Sequence, residues 1–181
     1  MLSSIPKSIN KLYKGLIPIK GSGSWIIDIN KNKYLDLTSG IGALSVGHSH
    51  PYVIKKVKHQ LDSYVHMAQQ IFDHHPILSE CNTKLLDIMP SKQLDSIHYL
   101  NSGSEAVDTA IKIARKHTGK TNIIAMNKGF HGRTIGAMSL GSSSLSYKQG
   151  SQPLLPGTYF SPYTTKEAID LILMHQSSPD D

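Results

Sequence analysis

The stretch "HYLNSGSEAVDTAIKIARKHTGK", His98 to Lys120, constrains the fold more than any other part of the chain. A β-like run ends in four small polar residues that lead straight into an amphipathic helix. Val107, Ala110, Ile111 and Ala114 recur at i, i+3, i+4 and i+7, while Asp108, Lys112, Arg115 and Lys116 lie outside that stripe. Asp108 and Lys112 are spaced for an i, i+4 pair, and Gly119 suits the left-handed position that closes a helix. The pattern predicts a helix from Ser104 to His117 that begins at an Asn-Ser-Gly-Ser corner. The first N–H groups of a helix have no intrahelical acceptor, and its N-terminus carries partial positive charge. Gly103 lets an anion approach the backbone without a Cβ in the way, and Ser102 and Ser104 flank it with hydroxyl donors. A phosphate is the natural guest. The local pattern equally describes serines that only cap a helix, and neither the dinucleotide fingerprint nor the P-loop pattern is present. A companion motif has to decide between them.

The surrounding chain places this corner in an α/β fold. "SIHYL" precedes the Ser104 helix, "NIIAM" precedes "GRTIGAMSL", and "GTYF" precedes the "TKEAIDLILMHQ" helix. Short apolar strands alternating with helices predict a mostly parallel sheet covered by helices. The first half reads differently. Trp25 to Ile29 and Tyr34 to Leu37 form a hairpin across an Asn-Lys-Asn-Lys turn, followed by the glycine-rich "GIGALSVGHSHP". Helices are then expected over "YVIKKVKHQLDSYV", with Val53, Val57 and Leu61 on one face, and over "PILSECNTKLLDIM", ending before Pro90. The expected division is residues 1–90 as arm, hairpin and helices, and 91–181 as the start of a larger α/β domain.

At 181 residues the chain is long enough for one ordinary domain with a real core, and its 39% hydrophobic and 18% charged residues are those of a globular protein. No apolar run approaches the roughly 20 residues of a membrane span. The net charge of +6 comes from scattered lysines without interleaved aromatics, which argues against a nucleic-acid partner. Leu2, Ile5, Ile9 and Leu12 recur at helical spacing among Lys7, Lys11 and Lys14, a pattern open to a mitochondrial targeting reading. The absence of arginine there, with Pro6 and Pro18, favours an ordinary arm and a cytoplasmic protein. Cys81, the single cysteine, is expected to be a buried thiol with no internal disulfide.

The companion motif is "NKGFHGRTIGAMSLG", Asn127 to Gly141, which follows the next strand and so returns to the same sheet edge. Phe130 offers an aromatic face, Arg133 a fork for a carboxylate, and His131 an imidazole. Taken singly, these three residues also read as core, surface and loop anchor. Together with the corner they describe a phosphate site beside a ring-stacking site and a carboxylate site, which suits pyridoxal phosphate acting on an amino acid.

On "WIIDINKNKYLDLTSGIGALSVGHSHP", "NSGSEAVDTAIKIAR" and "GFHGRT", in that order and spacing, the chain from about Gly21 onward resembles the class III pyridoxal phosphate-dependent aminotransferases. "PLLPGTYFSPY" is most similar to the 4-aminobutyrate and related ω-amino acid enzymes. The resemblance implies a fold type I transferase, here its N-terminal portion with an incomplete sheet. It implies pyridoxal 5'-phosphate as cofactor, amino acids and 2-oxo acids as substrates, and a homodimer for a complete protein. It places Ser102, Gly103 and Ser104 around the cofactor phosphate, Phe130 on the pyridine ring, Arg133 on the substrate carboxylate and Ile41 at the substrate entrance. It assigns no catalytic role to His131. The family's pyridine-nitrogen aspartate motif and Schiff-base lysine motif are not found in these 181 residues, so the chain is expected to be inert alone. The alternative is a truncated, non-catalytic paralogue that binds a cofactor or a partner.

Overall fold

The structure, a computed structural model, describes residues 15–68, 71, 75–163, 166–178 and 180. The apolar spacing of Leu2, Ile5, Ile9 and Leu12 lies outside the described residues. The chain forms two compact units, Met1–Ser79 and Glu80–Asp181.

In the first unit, β1 (Pro18–Ser22), β2 (Trp25–Asp28) and β3 (Lys33–Leu35) make an antiparallel sheet in that order. The expected hairpin is β2–β3, paired as Ile26↔Tyr34; the polar turn takes Ile29, while β3 starts one residue early at Lys33 and stops at Leu35, short of Asp36 and Leu37. Asp28 organises that turn. Its Oδ1 accepts from the N–H groups of Asn30 (2.9 Å) and Asn32 (2.8 Å), and its Oδ2 accepts from Asn32 Nδ2 (3.2 Å) and Tyr34 Oη (3.0 Å). Burial opposes ionisation of Asp28, but the Asn32, Tyr34 and Asn30 donors outweigh it and hold its carboxyl below the usual range. β1 has no clear alternation in the sequence. It forms as an edge strand on β2, with Pro18 at its first position, where the missing N–H costs least.

Helix α1 (Pro51–Leu61) starts on Pro51 at its first turn, where a proline is pre-organised, and ends four residues before the predicted Val65. Helix α2 (Pro76–Asp87) stops before Pro90 as expected. Cys81 on α2 is exposed rather than buried, since α2 has no buried residue among those described.

The second unit runs α3 (Gly103–Thr118), β4 (Ile123–Met126), α4 (Ile135–Leu140), β5 (Thr158–Ser161) and α5 (Lys166–His175). β4 and β5 pair in parallel from Ile123↔Thr158 to Met126↔Ser161, as the alternation of strands and helices required. Ile111, Ala125 and Leu140 form the core, with Val107, Ile123, Leu155 and Phe160 against it. Of the predicted α3 stripe, Val107 and Ile111 face this core while Ala110 and Ala114 are exposed.

"SIHYL" departs from expectation. Residues 96–100 join no sheet among the described residues, and β4 takes β5 as its partner instead. An apolar run becomes a strand only where a neighbour completes its ladder. No described helix is long and apolar enough to cross a membrane.

Candidate functional site

The corner is a capped helix N-terminus. Ser102 is extended (φ −148°, ψ 157°), and its Oγ accepts from the N–H of Glu105 at 3.2 Å. The Glu105 carboxylate reaches back to the Asn101 N–H at 2.8 Å, one residue before the N-cap, a variant of the Ser-x-x-Glu capping box in which the return bond goes to the residue preceding Ser102. The cap consumes the donors of Asn101 and Glu105. It leaves the amides of Gly103 and Ser104 without a protein acceptor among the described residues, and a Cβ on Gly103 would meet nothing within 4 Å. Capping and an open pair of donors therefore coexist. Gly119 closes the helix at φ 72°, its N–H bonded to Arg115 O.

The "GFHGRT" loop is tied onto this corner. The Arg133 N–H donates to Ser104 Oγ at 3.1 Å, and Thr134 Oγ1 donates to Ser104 O at 3.5 Å. Gly132 has φ 132°, and a Cβ there would collide with Ser104 Oγ, so this contact requires glycine. One turn later, Asp108 Oδ1 accepts from the Ala137 N–H at 2.7 Å and caps α4 across two helices, a task that Thr134 at its N-cap leaves undone. Asp108 is thus committed to α4 rather than to the expected Lys112 pair. Two α3 side chains, Ser104 and Asp108, fix where the loop and α4 sit.

Phe130 is 54% exposed and meets Tyr147 edge to face, with ring centroids 5.5 Å apart. The Arg133 guanidinium lies 5.5 Å from the Tyr147 ring centroid and 6.0 Å from that of Phe130. These three side chains form one cluster, which keeps a cation beside an accessible aromatic ring. Phe130, Gly132, Tyr147 and Lys148 line a cleft of only ≈ 10 Å³, the room of about one water, so the described residues of this unit present parts of a site rather than a closed pocket. Burial pushes the Lys148 ammonium below its usual pKa, and its Nζ rests 4.7 Å from the Phe160 ring centroid. His131 packs its Nε2 over Gly129.

Ile41 belongs to the first unit. It is 95% exposed, in a turn of consecutive positive-φ residues. Sequence reasoning did not single out Tyr147, Glu105 or the bracing role of Asp108. The Ser-x-x-Glu spacing was a visible signal for Glu105; Tyr147 has none, because its contact with Phe130 depends on how the loop after α4 folds back.

The class III aminotransferase family model matches residues 8–177. The chain belongs to the class III aminotransferases. Among curated proteins it is 37% identical over 147 residues to the probable 4-aminobutyrate aminotransferase of Bacillus subtilis, covering 81% of this chain and 34% of that protein. It is 39% identical over 155 residues to the acetylornithine aminotransferase of Bacillus cereus, covering 86% and 39%. Among solved structures, the adenosylmethionine-8-amino-7-oxononanoate aminotransferase of Methanocaldococcus jannaschii superposes with a TM-score of 0.80 at 36% identity, over 90% of this chain and 39% of that one. The Toxoplasma gondii ornithine aminotransferase, whose active site has partial pyridoxal phosphate occupancy, gives 0.78 at 26% identity, over 93% and 40%. The chain therefore spans about two fifths or less of these relatives. Class III aminotransferases are pyridoxal phosphate-dependent, and the fold is that of the corresponding part of a fold type I enzyme.

Proposed function

We propose that these 181 residues are the N-terminal part of a pyridoxal phosphate-dependent aminotransferase that moves an amino group from an amino or ω-amino acid to a 2-oxo acid. The observation that carries this reading is the free amide pair of Gly103 and Ser104, held next to the Phe130–Arg133 cluster by the Arg133 N–H to Ser104 Oγ bond. When bound, the cofactor supplies an electron sink for the substrate's Cα. The residues of this chain do the holding. The two amides and the α3 N-terminus take up the phosphate's negative charge, and the Ser102 hydroxyl keeps a proton to donate while its oxygen serves the cap. Phe130 supplies an apolar face for a flat ring, and Arg133 a two-pronged donor for a substrate carboxylate. Ile41 lines the substrate entrance. Residues 91–181 begin the cofactor domain, and a complete protein of this kind is a homodimer in the cytoplasm.

None of the lysines present is assigned the family's cofactor-anchoring role, so the chain alone binds cofactor weakly and turns nothing over. The test is to incubate the purified chain with pyridoxal phosphate, trap adducts with borohydride, and assay amino transfer from 4-aminobutyrate to 2-oxoglutarate. No turnover is expected. Turnover that disappears when one specifically labelled lysine is replaced would overturn the assignment of this chain as a part. A non-catalytic paralogue would retain cofactor binding and remain inert even when supplied with the C-terminal part of a relative.

A further inference from the structure

The loop after β3 contains a run of unusual backbone. Ser39 (φ 47°), Gly40 (62°), Ile41 (61°) and Gly42 (78°) are four consecutive residues at positive φ, closed by the Gly42 N–H to Thr38 O bond at 2.9 Å. Glycine accepts this conformation; a β-branched isoleucine does so against its own Cβ. Ile41 gains nothing visible in return, since its side chain is 95% exposed. Something must hold the turn in this form.

Asp36 stands at its entrance. Its Oδ1 accepts from Thr38 Oγ1 (2.6 Å), the Thr38 N–H (2.9 Å) and the Ser39 N–H (3.0 Å). Thr38 is right-handed (φ −90°, ψ −24°) and Ser39 has positive φ, and that succession turns consecutive N–H groups toward one anion. The second carboxylate oxygen meets His48 Nε2 at 2.7 Å. His48 is anchored in turn. Its backbone exchanges two hydrogen bonds with Gly23 (2.9 and 2.8 Å), and its ring packs so closely on Gly21 that a Cβ there would fall 2.6 Å from Cγ. The hairpin therefore fixes His48, His48 fixes Asp36, and Asp36 fixes the first residue of the left-handed turn.

We infer that Asp36 is a positioning residue whose carboxylate, gripped by Thr38, Ser39 and His48, holds the Ser39–Gly42 turn left-handed and so displays the Ile41 side chain. The inference rests on the function proposed above only for what Ile41 faces, the substrate; the brace itself stands on the geometry of the first unit.

The brace predicts a sign that ordinary packing does not. At an exposed position alanine normally equals or exceeds glycine in stability. At residue 41 the order reverses, with Ile41→Gly folding about fivefold more favourably than Ile41→Ala in urea titrations. Replacing Asp36 lets the turn relax, and with isoleucine at 41 the released strain offsets part of the loss. Asp36→Ala is therefore expected to lower the folding equilibrium constant several-fold more in the Ile41→Gly background than with Ile41 in place. Hydrogen exchange at Gly42 and Leu44 speeds up in Asp36→Ala, while Asp36→Asn, whose carbonyl can still accept from Thr38 and Ser39, keeps most of the protection. Should Asp36→Ala fail to fold, Thr38→Val, which deletes the 2.6 Å hydroxyl donor to Asp36 Oδ1, takes its place in the comparison with the two Ile41 variants. Alanine equal to or better than glycine at 41, additive effects of the two sites, or unchanged exchange at Gly42 would each overturn the inference. None of these readouts involves cofactor or substrate. If the coupling holds while Ile41 variants of a complete enzyme keep the same amino-donor selectivity, the brace stands and the substrate reading of Ile41 falls.

Discussion

The main-chain N–H of Arg133 donates to Ser104 Oγ at 3.1 Å across 29 positions of sequence, and so joins the two motifs that one cofactor and one substrate would need together. Ser104→Ala removes the acceptor and should destabilise the chain by about 1 kcal/mol in urea titrations. Gly132→Ala should cost more, about 1–3 kcal/mol, since a Cβ there meets Ser104 Oγ and the backbone lies at φ 132°. A Gly132→Ala cost no larger than that of an ordinary surface glycine would mean that the loop and the corner are not in contact.

Asp108 is expected to behave as a remote helix cap. Asp108→Ala leaves the Ala137 N–H without its acceptor and should cost about 1–2 kcal/mol. Hydrogen exchange should accelerate across 135–140 while the Gly119 amide at the far end of α3 stays protected. Equal loss at both places would make Asp108 a general core residue instead.

The Asp36 carboxyl is held down to about 2 from 3.8, first by Thr38 Oγ1 and His48 and then by the Thr38 and Ser39 N–H groups, against an opposing burial effect. A depressed folded-state pKa means that the unfolded state binds the extra proton, so stability rises with pH through this window. The contribution of Asp36 is complete above about pH 4 and is lost as pH falls toward 2. The urea midpoints of the native chain and Asp36→Asn should converge over that interval; a gap that stays constant down to pH 2 would contradict the assignment.

Among the described residues the second unit's sheet has two strands, and large apolar side chains stand exposed on both units, including Leu37 (85%), Val65 (79%), Leu145 (85%) and Tyr163 (77%). Unpaired strand edges and apolar patches promote association. Light scattering on the purified chain is expected to show concentration-dependent self-association at low micromolar protein; a monodisperse monomer across that range would refute this.

The periodic parts of the fold were legible in the sequence. Helix α3 and its Ser102 and Gly119 ends follow from the spacing of Val107 and Ile111 and from residues that cap helices for local reasons. β4 and β5 followed from apolar runs between helices. "SIHYL" also reads as a short β-like run and is not a strand, because pairing is a property of the neighbour and not of the run. β1 shows the converse, a poor strand sequence made a strand by β2. In the site, Ser104, Gly103, Phe130 and Arg133 were readable as types with chemistry. The Tyr147 edge contact, the Asp108 cap and the Asp36–His48 brace were not, since each joins residues separated by more than ten positions through tertiary packing.

The proposed phosphate cradle is the amide pair of Gly103 and Ser104 at the start of α3. Equilibrium dialysis of the chain against 4-deoxypyridoxine 5'-phosphate and against 4-deoxypyridoxine isolates it, because neither compound can form an imine with a lysine. The phosphorylated compound should bind at least about tenfold more tightly, and Gly103→Asp, which puts a carboxylate where the phosphate is proposed to sit, should erase the difference without altering the affinity for the unphosphorylated one. Equal binding of the two compounds, or a preference for the phosphate that survives Gly103→Asp, would contradict the claim.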